Sequence, residues 1–288
     1  MSVLEFIKVL VFGIVEGITE WLPISSTGHL ILAAEFIRLQ ASDAFLEMFD
    51  VVIQFGAILA VVVMFWNRLW PFCLHGPGEG LVGRYCRRDV WDMWFHVLAA
   101  ILPSALIGLP LDDWMTEHLH NPPVVSAMLI LYGVFFLLME RTVGRRRPSV
   151  RRVAQINYRM ALFIGVFQLL ALVPGTSRSG ATILGAMLIG CSRTVAAEFT
   201  FYLAVPTMAG ASLIKILKFL VEGGGFSGAE PWLLLTGCVV AFAVSLACIR
   251  FLMDYVKKHD FKVFGWYRIA LGVLVLAYFY LVKPVLAA

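Results

Sequence analysis

The sequence predicts an all-α polytopic membrane protein with inverted-topology repeats, built from six transmembrane spans and two re-entrant helical hairpins. Of its 288 residues, 60% are hydrophobic and 15% are charged, whereas soluble domains are less apolar and nearer a quarter charged. Two apolar stretches that polar residues interrupt occur in the two halves, and basic residues gather in three loops. The composition indicates a membrane protein, the paired stretches indicate repeats, and the basic loops indicate its topology.

The first hairpin is predicted over residues 5–38, because neither arm is long enough to cross the roughly 30 Å of bilayer hydrocarbon as a clean span. Pro23 and Gly28 bracket a polar turn, and both residue types interrupt regular helix. Irregular backbone at membrane depth persists only where protein encloses it or where it lines a wet cavity. We therefore expect the turn to line a cavity.

The second hairpin is predicted over residues 160–190. A shift of 151 residues places Pro23 on Pro174, which indicates one membrane domain over residues 1–288 with repeats at about 1–140 and 155–288. The same shift pairs Ser25 with Thr176, Ser26 with Ser177, Thr27 with Arg178 and Glu47 with Glu198.

Six other apolar segments are long enough to cross a bilayer, which takes about 20 residues of helix. Each of them ends at polar, charged or interfacial aromatic residues. The predicted spans are residues 45–66, 92–111, 122–140, 195–214, 231–252 and 263–282.

Charge in the loops predicts the orientation of these spans. Loops 67–91, 141–159 and 250–262 contain four, seven and four lysines and arginines, while loop 111–123 contains none. Basic loops remain cytoplasmic. The first hairpin is then expected to enter from outside and the second from the cytoplasm, which is the relation that inverted repeats require.

Glu16 and Glu20 are the first candidates for chemistry. A carboxylate near the bilayer centre costs about 2.5–3.5 kcal/mol to insert and is normally functional. Their spacing of four residues places both on one face of a helix. This arrangement favours a metal site or a general acid–base pair, with protonated packing acids as the alternative.

Hydroxyl groups and a histidine follow these acids. Ser25, Ser26 and Thr27 lie in the polar turn, and one of them is expected to cap the second arm of the hairpin. His29 comes directly after the turn. A lone histidine is more often structural, but its place beside an acid-bearing, proline-broken helix favours a functional role.

The second hairpin supplies the features of an anion site. Its turn, residues 174–180, reads Pro-Gly-Thr-Ser-Arg-Ser-Gly. Glycines let backbone N–H groups converge, the next helix presents its positive N-terminus, and Arg178 adds a bidentate donor for phosphate oxygens. An arginine that extends to a lipid head group is the alternative. The candidate substrate contacts beside Arg178 are Gly175, Thr176, Ser177 and Ser179.

Together these groups suit phosphoryl chemistry on a phosphate ester with a long apolar tail. Arginine and a metal ion would neutralise the charge that develops on the phosphoryl group. A secondary transporter or flippase for an anionic, phosphorylated lipid is the competing class, since broken helices in inverted repeats are common in transporters. A structural scaffold would leave the charges within the membrane unexplained.

Residues 16–29, Glu-Gly-Ile-Thr-Glu-Trp-Leu-Pro-Ile-Ser-Ser-Thr-Gly-His, and the turn 174–180 closely resemble the two signatures of the bacterial undecaprenyl-diphosphate phosphatases, also called bacitracin-resistance proteins. The resemblance implies hydrolysis of undecaprenyl diphosphate to undecaprenyl phosphate and inorganic phosphate, which recycles the lipid carrier of peptidoglycan synthesis. It also implies a divalent cation, Mg²⁺ or Ca²⁺. The expected location is the bacterial plasma (inner) membrane, with the active site facing the periplasm or the outside.

The resemblance also implies residue roles. Glu16 and Glu20 would bind the metal or activate the attacking group, and Ser26 would be the nucleophile. His29 would act as general acid or base, or as an alternative nucleophile. The phosphate contacts would be Ser25, Thr27, Ser177 and Arg178. Attack by Ser26 or by water, assembly as a homodimer, and movement of lipid between leaflets all remain open.

Overall fold

The computed structural model describes residues 3–73, 85–144, 146–221, 225–226 and 228–284, apart from the side chains of four residues in that range. Two arginines of the predicted cytoplasmic loops, Arg84 and Arg145, lie outside the described residues. The four side chains that are not described are those of Leu109, Asp112, Asp113 and Thr116.

The described chain is helical, and its only β-type pairings are two isolated bridges, Phe72 with Cys86 and Val150 with Cys191. Short 3₁₀ turns lie at Val153–Gln155 and Leu170–Leu172, and a π turn at Tyr278–Val282. The α-helices are α1 (Val3–Thr19), α2 (Ser26–Phe36), α3 (Asp43–Met64), α4 (Trp66–Leu69), α5 (Arg88–Leu119), α6 (Pro122–Thr142), α7 (Tyr158–Leu169), α8 (Arg178–Leu188), α9 (Arg193–Val221), α10 (Glu230–Lys258) and α11 (Lys262–Ala277).

Six helical segments are long and apolar enough to cross a membrane, which confirms the predicted all-α polytopic class with six spans. The two predicted hairpins are helix pairs, α1 with α2 and α7 with α8, and each pair is joined by an irregular turn. Their re-entrant path and the inverted repeat stay predictions. The six segments are Asp43–Met64, Arg88–Gly108, Pro122–Thr142, Arg193–Val221, Glu230–Lys258 and Lys262–Val282.

Close helix contacts hold the bundle together. Helix α10 packs against both α1 and α3, α5 packs along α7, and α6 packs along α11. At Gly56 a Cβ atom would lie 2.2 Å from the Cys238 carbonyl oxygen, and at Gly165 it would lie 2.2 Å from the Ala100 carbonyl oxygen. Small residues at such crossings let helix backbones approach, and the van der Waals contact that results drives association in lipid.

The basic loops come together at one end of the bundle. One cavity is lined by Arg68, Arg250 and Lys257, and a second cavity, which shares Lys257, is lined by Arg146 and Arg147. Three loops that are distant in sequence thus place their charges on one side, which is the arrangement that the positive-inside rule requires.

Replacing Gly56 by alanine is expected to destabilise the protein, because the new methyl group would overlap the α10 backbone at Cys238. Overpacking of this kind costs about 1–3 kcal/mol. Gly210→Ala is the matched control, since a Cβ there meets nothing within 4 Å. It should be neutral or stabilising by up to about 1 kcal/mol. Thermal unfolding in detergent measures both, and equal shifts would contradict the α3–α10 contact.

Candidate active site

Each irregular turn ends in a serine that caps the helix after it. The Ser25 side chain accepts a hydrogen bond from the Gly28 backbone N–H at 3.4 Å, and the Ser177 side chain accepts one from Gly180 at 3.2 Å. Both serines have positive φ, 74° and 71°, which is a costly backbone conformation for residues other than glycine. The surrounding structure must therefore hold both turns in place.

The positions of the two capping serines change the alignment of the two halves from the shift of 151 residues that the prolines indicate. One residue lies between Pro23 and Ser25, but two lie between Pro174 and Ser177, so the caps correspond at a shift of 152. The additional residue is accommodated at Gly175, whose φ of 91° glycine adopts without strain. In structure Ser25 therefore corresponds to Ser177 rather than to Thr176, Ser26 to Arg178, and Thr27 to Ser179.

The two turns meet at the Glu20 carboxylate. Its Oε1 accepts a hydrogen bond from Arg178 Nη2 at 2.6 Å, and its Oε2 accepts one from Ser26 Oγ at 2.8 Å. Ser179 Oγ donates to the Glu20 carbonyl oxygen at 3.1 Å. Because all of these side chains are largely buried, breaking the ion pair would leave an uncompensated charge in a medium of low dielectric, at a cost of about 3–5 kcal/mol.

Buried groups around this contact lack partners among the described residues. By hydrogen-bond geometry they are both carboxylate oxygens of Glu16, which has the Glu20 carboxylate beside it, the Thr176 hydroxyl, which has Tyr132 beside it, and Arg178 Nη1. The arginine nitrogen and the hydroxyl can donate to an anion, while the carboxylate can bind a cation or a proton. Such groups are costly to leave unpaired, so the site has free capacity for an anion beside free capacity for a cation.

Glu16 lies one helical turn before Glu20 and is fully buried. The charges of Glu20, Arg178 and Asp50 act on it. Asp50 of α3 was missed in the sequence analysis, although it lies inside a predicted apolar span, and the rule that identified Glu16 applies to it equally. Among the described residues no three acidic, histidine or cysteine side chains form a metal cluster. A metal ion held by Glu16 and Glu20 would therefore need further oxygen ligands from substrate or water.

His29 contacts α11 rather than Ser26. Its Nδ1 lies 2.7 Å from the Ser25 carbonyl oxygen, so this nitrogen carries the proton and donates. Its Nε2 lies 2.7 Å from the hydroxyl of Tyr267, and the two rings stack with centroids 5.6 Å apart. Sequence reasoning missed Tyr267, because a tyrosine near the start of a span is ordinarily interpreted as an interfacial aromatic.

Arg268 of α11 forms hydrogen bonds with the backbone of both turns. It is fully buried and donates to the Pro23 carbonyl oxygen at 3.2 Å, to Gly175 at 2.8 Å and to Thr176 at 2.9 Å. Its guanidinium also lies 5.5 Å from the centre of the Tyr132 ring. The sequence does contain a signal for this residue, since Arg268 lies within the predicted span 263–282, where a charge is costly.

Apart from His29, the candidate residues from the sequence fall into four groups. Glu16, Glu20, Ser26, Arg178 and Ser179 come together at the contact between the turns, where a hydroxyl is hydrogen-bonded to a carboxylate and an arginine has a free donor. Ser25 and Ser177 serve as helix caps, and Gly175 and Thr176 bind Arg268 through their carbonyl groups. Thr27 is half-buried, and its side chain makes no hydrogen bond within the described part of the chain.

Residues 9–274 match the family model described as "Bacitracin resistance protein BacA". The chain is 57% identical over 276 residues to an undecaprenyl-diphosphatase of Enterococcus faecalis, covering 96% of this chain and 98% of that protein. It is 54% identical to the undecaprenyl-diphosphatase of Lactiplantibacillus plantarum, covering 97% and 99% of the two chains. The protein of the same name from Acetivibrio thermocellus is 55% identical, with 97% and 100% covered.

Replacing Arg268 by methionine is expected to lower the free energy of unfolding by about 3 kcal/mol or more, because buried carbonyl groups of both turns would lose a charged donor. Arg250→Met is the control, since Arg250 is an exposed arginine on α10. Unfolding in detergent compares the two variants. An Arg268→Met protein as stable as the Arg250→Met protein would contradict the assigned role.

Proposed function

The chain belongs to the bacitracin resistance protein BacA family, and we propose that it hydrolyses undecaprenyl diphosphate to undecaprenyl phosphate and inorganic phosphate. This reaction would recycle the lipid carrier for cell-wall synthesis and confer bacitracin resistance. The observation that supports it most directly is the Glu20 carboxylate, which binds the Ser26 hydroxyl and the Arg178 guanidinium at the same time. A hydroxyl that can act as nucleophile, a carboxylate that can act as its base, and a guanidinium that can donate hydrogen bonds to an anion thus meet at one place.

Substrate binding would use groups that are still free to donate. Arg178 Nη1 has no partner among the described residues, and Arg178 begins α8, whose N-terminus favours negative charge. The Thr176 hydroxyl is a second donor. We place the terminal phosphate of the diphosphate against these groups, with the polyprenyl tail extending between the apolar helices.

For the chemical step, we assign the nucleophile to Ser26 and the base to Glu20. As the Ser26 oxygen attacks the terminal phosphorus, its proton passes to Glu20 Oε2, which lies 2.8 Å from that oxygen. The bond between this phosphorus and the bridging oxygen breaks, and undecaprenyl phosphate leaves. Water then attacks the phosphoserine, the bond between phosphorus and the Ser26 oxygen breaks, and inorganic phosphate leaves with the protons of the water. Glu20 returns its proton to the Ser26 oxygen, which regenerates the hydroxyl.

The role of His29 follows from its contacts. It is held by Ser25 and Tyr267 and has no hydrogen bond to Ser26 in the described chain. We therefore assign acceptance of the Ser26 proton to Glu20 alone. We assign to His29 the role of general acid, which protonates the leaving phosphate. It would do so as the imidazolium, with Nδ1–H donated to the Ser25 carbonyl oxygen and the second proton on Nε2. The Nε2 proton would pass to the leaving phosphate, and the neutral ring would then accept a hydrogen bond from the Tyr267 hydroxyl.

A divalent cation, Mg²⁺ or Ca²⁺, fits the free carboxylate oxygens of Glu16. Glu16 and Glu20 would hold it, because Mg²⁺ is often bound by one or two carboxylates with water and substrate phosphate completing its shell. When bound, the cation would neutralise charge on the phosphoryl oxygens. Asp50 adds further negative potential near Glu16.

A transporter or flippase of anionic lipid remains the competing function, because this fold class also suits transport. Binding alone does not require a serine hydroxyl that donates to a buried carboxylate, and this contact favours the phosphatase.

We place the active site towards the periplasm or the outside of the bacterial plasma (inner) membrane, on the side opposite the basic loops. The multi-pass character of the chain is supported by its six long apolar helices. All contacts between the two turns come from one chain, so a homodimer, which stays a prediction, is not needed to complete the site.

Purified protein in detergent is expected to release phosphate from undecaprenyl diphosphate without any gradient across a membrane. Ser26→Ala should lower turnover by about 100-fold or more, as loss of a nucleophile typically does. Ser126→Ala is the control, because among the described residues the hydroxyl of this buried serine donates only to the Pro122 carbonyl oxygen of its own helix. A Ser26→Ala enzyme with more than roughly a tenth of the wild-type turnover would exclude the nucleophile. Absence of release by the wild type would favour transport.

Removal of divalent cations with a chelator is expected to abolish phosphate release, and added Mg²⁺ or Ca²⁺ should restore it. Glu16→Gln should raise the cation concentration for half-maximal activity by about tenfold or more, because it removes a charged ligand. Glu47→Gln is the control, since Glu47 is exposed and pairs with Lys215. If chelation leaves the rate unchanged, the cation assignment is wrong.

A further inference from the structure

A cavity of about 490 Å³ opens at the end of α8 that is remote from the candidate active site. The loop after α6, the end of α8 and the start of α9 form its walls. Helix α8 has 11 residues, which at 1.5 Å per residue separates the cavity from Arg178 by about 16 Å. The cavity is therefore distinct from the contact between Glu20 and Arg178.

The charge of this cavity is positive. Arg146, Arg147, Arg193 and Lys257 line it, and no aspartate or glutamate is among its described lining residues. Two of these cations are already paired, Arg193 with Glu140 and Lys257 with Asp254. Arg146 and Arg147 are exposed and have no acidic partner in the part of the chain that the structure describes. They are the cations free to bind an anion.

The remaining walls suit a phosphate group that carries an apolar chain. Ser192 and Thr194 line the cavity where the 29-residue helix α9 begins, and a helix N-terminus attracts anions. The cavity also has an apolar lining, which includes Met187, Leu188 and Ile189. Leu188 is 47% exposed, as expected where the wall continues towards the acyl chains of the bilayer.

We propose that this cavity is a second anion site, which binds the phosphate group of an anionic lipid or free phosphate at the basic end of the protein. Topology alone requires positive charge in the loop but requires no cavity. Arg151 and Arg152 belong to the same loop, are exposed and carry the same charge, yet they do not line the cavity. If binding is specific to the cavity, it depends on Arg146 and Arg147. If it is only a general attraction to a negative surface, all four arginines contribute equally.

The experiment titrates the full chain in detergent with dioleoylphosphatidic acid and counts bound lipid by native mass spectrometry. The salt concentration is 0.15 M, at which exposed charges are screened beyond about 8 Å. The double variant Arg146→Gln/Arg147→Gln is compared with Arg151→Gln/Arg152→Gln. Dioleoylphosphatidylcholine is the lipid control, because it has a phosphate but no net charge.

We expect the first double variant to lose one equivalent of tightly bound phosphatidic acid, with affinity reduced about tenfold or more. The second should stay within about twofold of the wild type. Displacement of that equivalent by millimolar inorganic phosphate would identify free phosphate as a ligand, and resistance to displacement would identify the lipid. Equal losses in both double variants, or no loss in either, would overturn the proposal.

Phosphate release separates this proposal from the proposed function. Arg146→Gln/Arg147→Gln leaves every residue of the active site in place and should keep the wild-type turnover. Retained turnover with lost lipid binding supports the second site. Retained turnover with unchanged lipid binding overturns the second site and leaves the phosphatase assignment untouched.

Discussion

The Glu20 carboxylate is the point on which the arrangement of the site depends. One oxygen pairs with Arg178 from the second half of the chain, and the other accepts the Ser26 hydroxyl from the first half. Burial makes this ion pair hard to break, because separating the charges would leave each of them unsolvated. The same contact thus holds the two turns together and joins the Ser26 hydroxyl to a buried carboxylate, which is the pairing that the proposed mechanism uses.

Arg268 supplies the support that this contact requires. Both turns contain a serine with positive φ, and such strained backbone persists only where its surroundings fix it. Carbonyl groups of both turns accept hydrogen bonds from the one Arg268 guanidinium. A buried cation within α11 therefore fixes the relative position of two turns that are about 150 residues apart in sequence.

Sequence reasoning identified the charges at the contact, because a carboxylate or a guanidinium inside an apolar stretch is costly and seldom accidental. Glu20 and Arg178 were found in this way. Asp50 and Arg268 carry the same signal within their spans, but each lies in a span that no proline or glycine turn interrupts, so the pattern of broken helices did not mark them. The alignment of the two caps was off by one residue, because the positive φ of Gly175 that absorbs the additional residue is a property of the folded turn.

The sequence by itself determined the six spans, the two interrupted helix pairs and the residue types available for chemistry, because local hydropathy and charge are sufficient to predict them. Only the tertiary structure decided which groups pair. Ser26 binds Glu20, His29 binds Tyr267, and Arg268 serves both turns. These partners come from helices whose crossing depends on close packing throughout the bundle, and no local pattern encodes such a crossing.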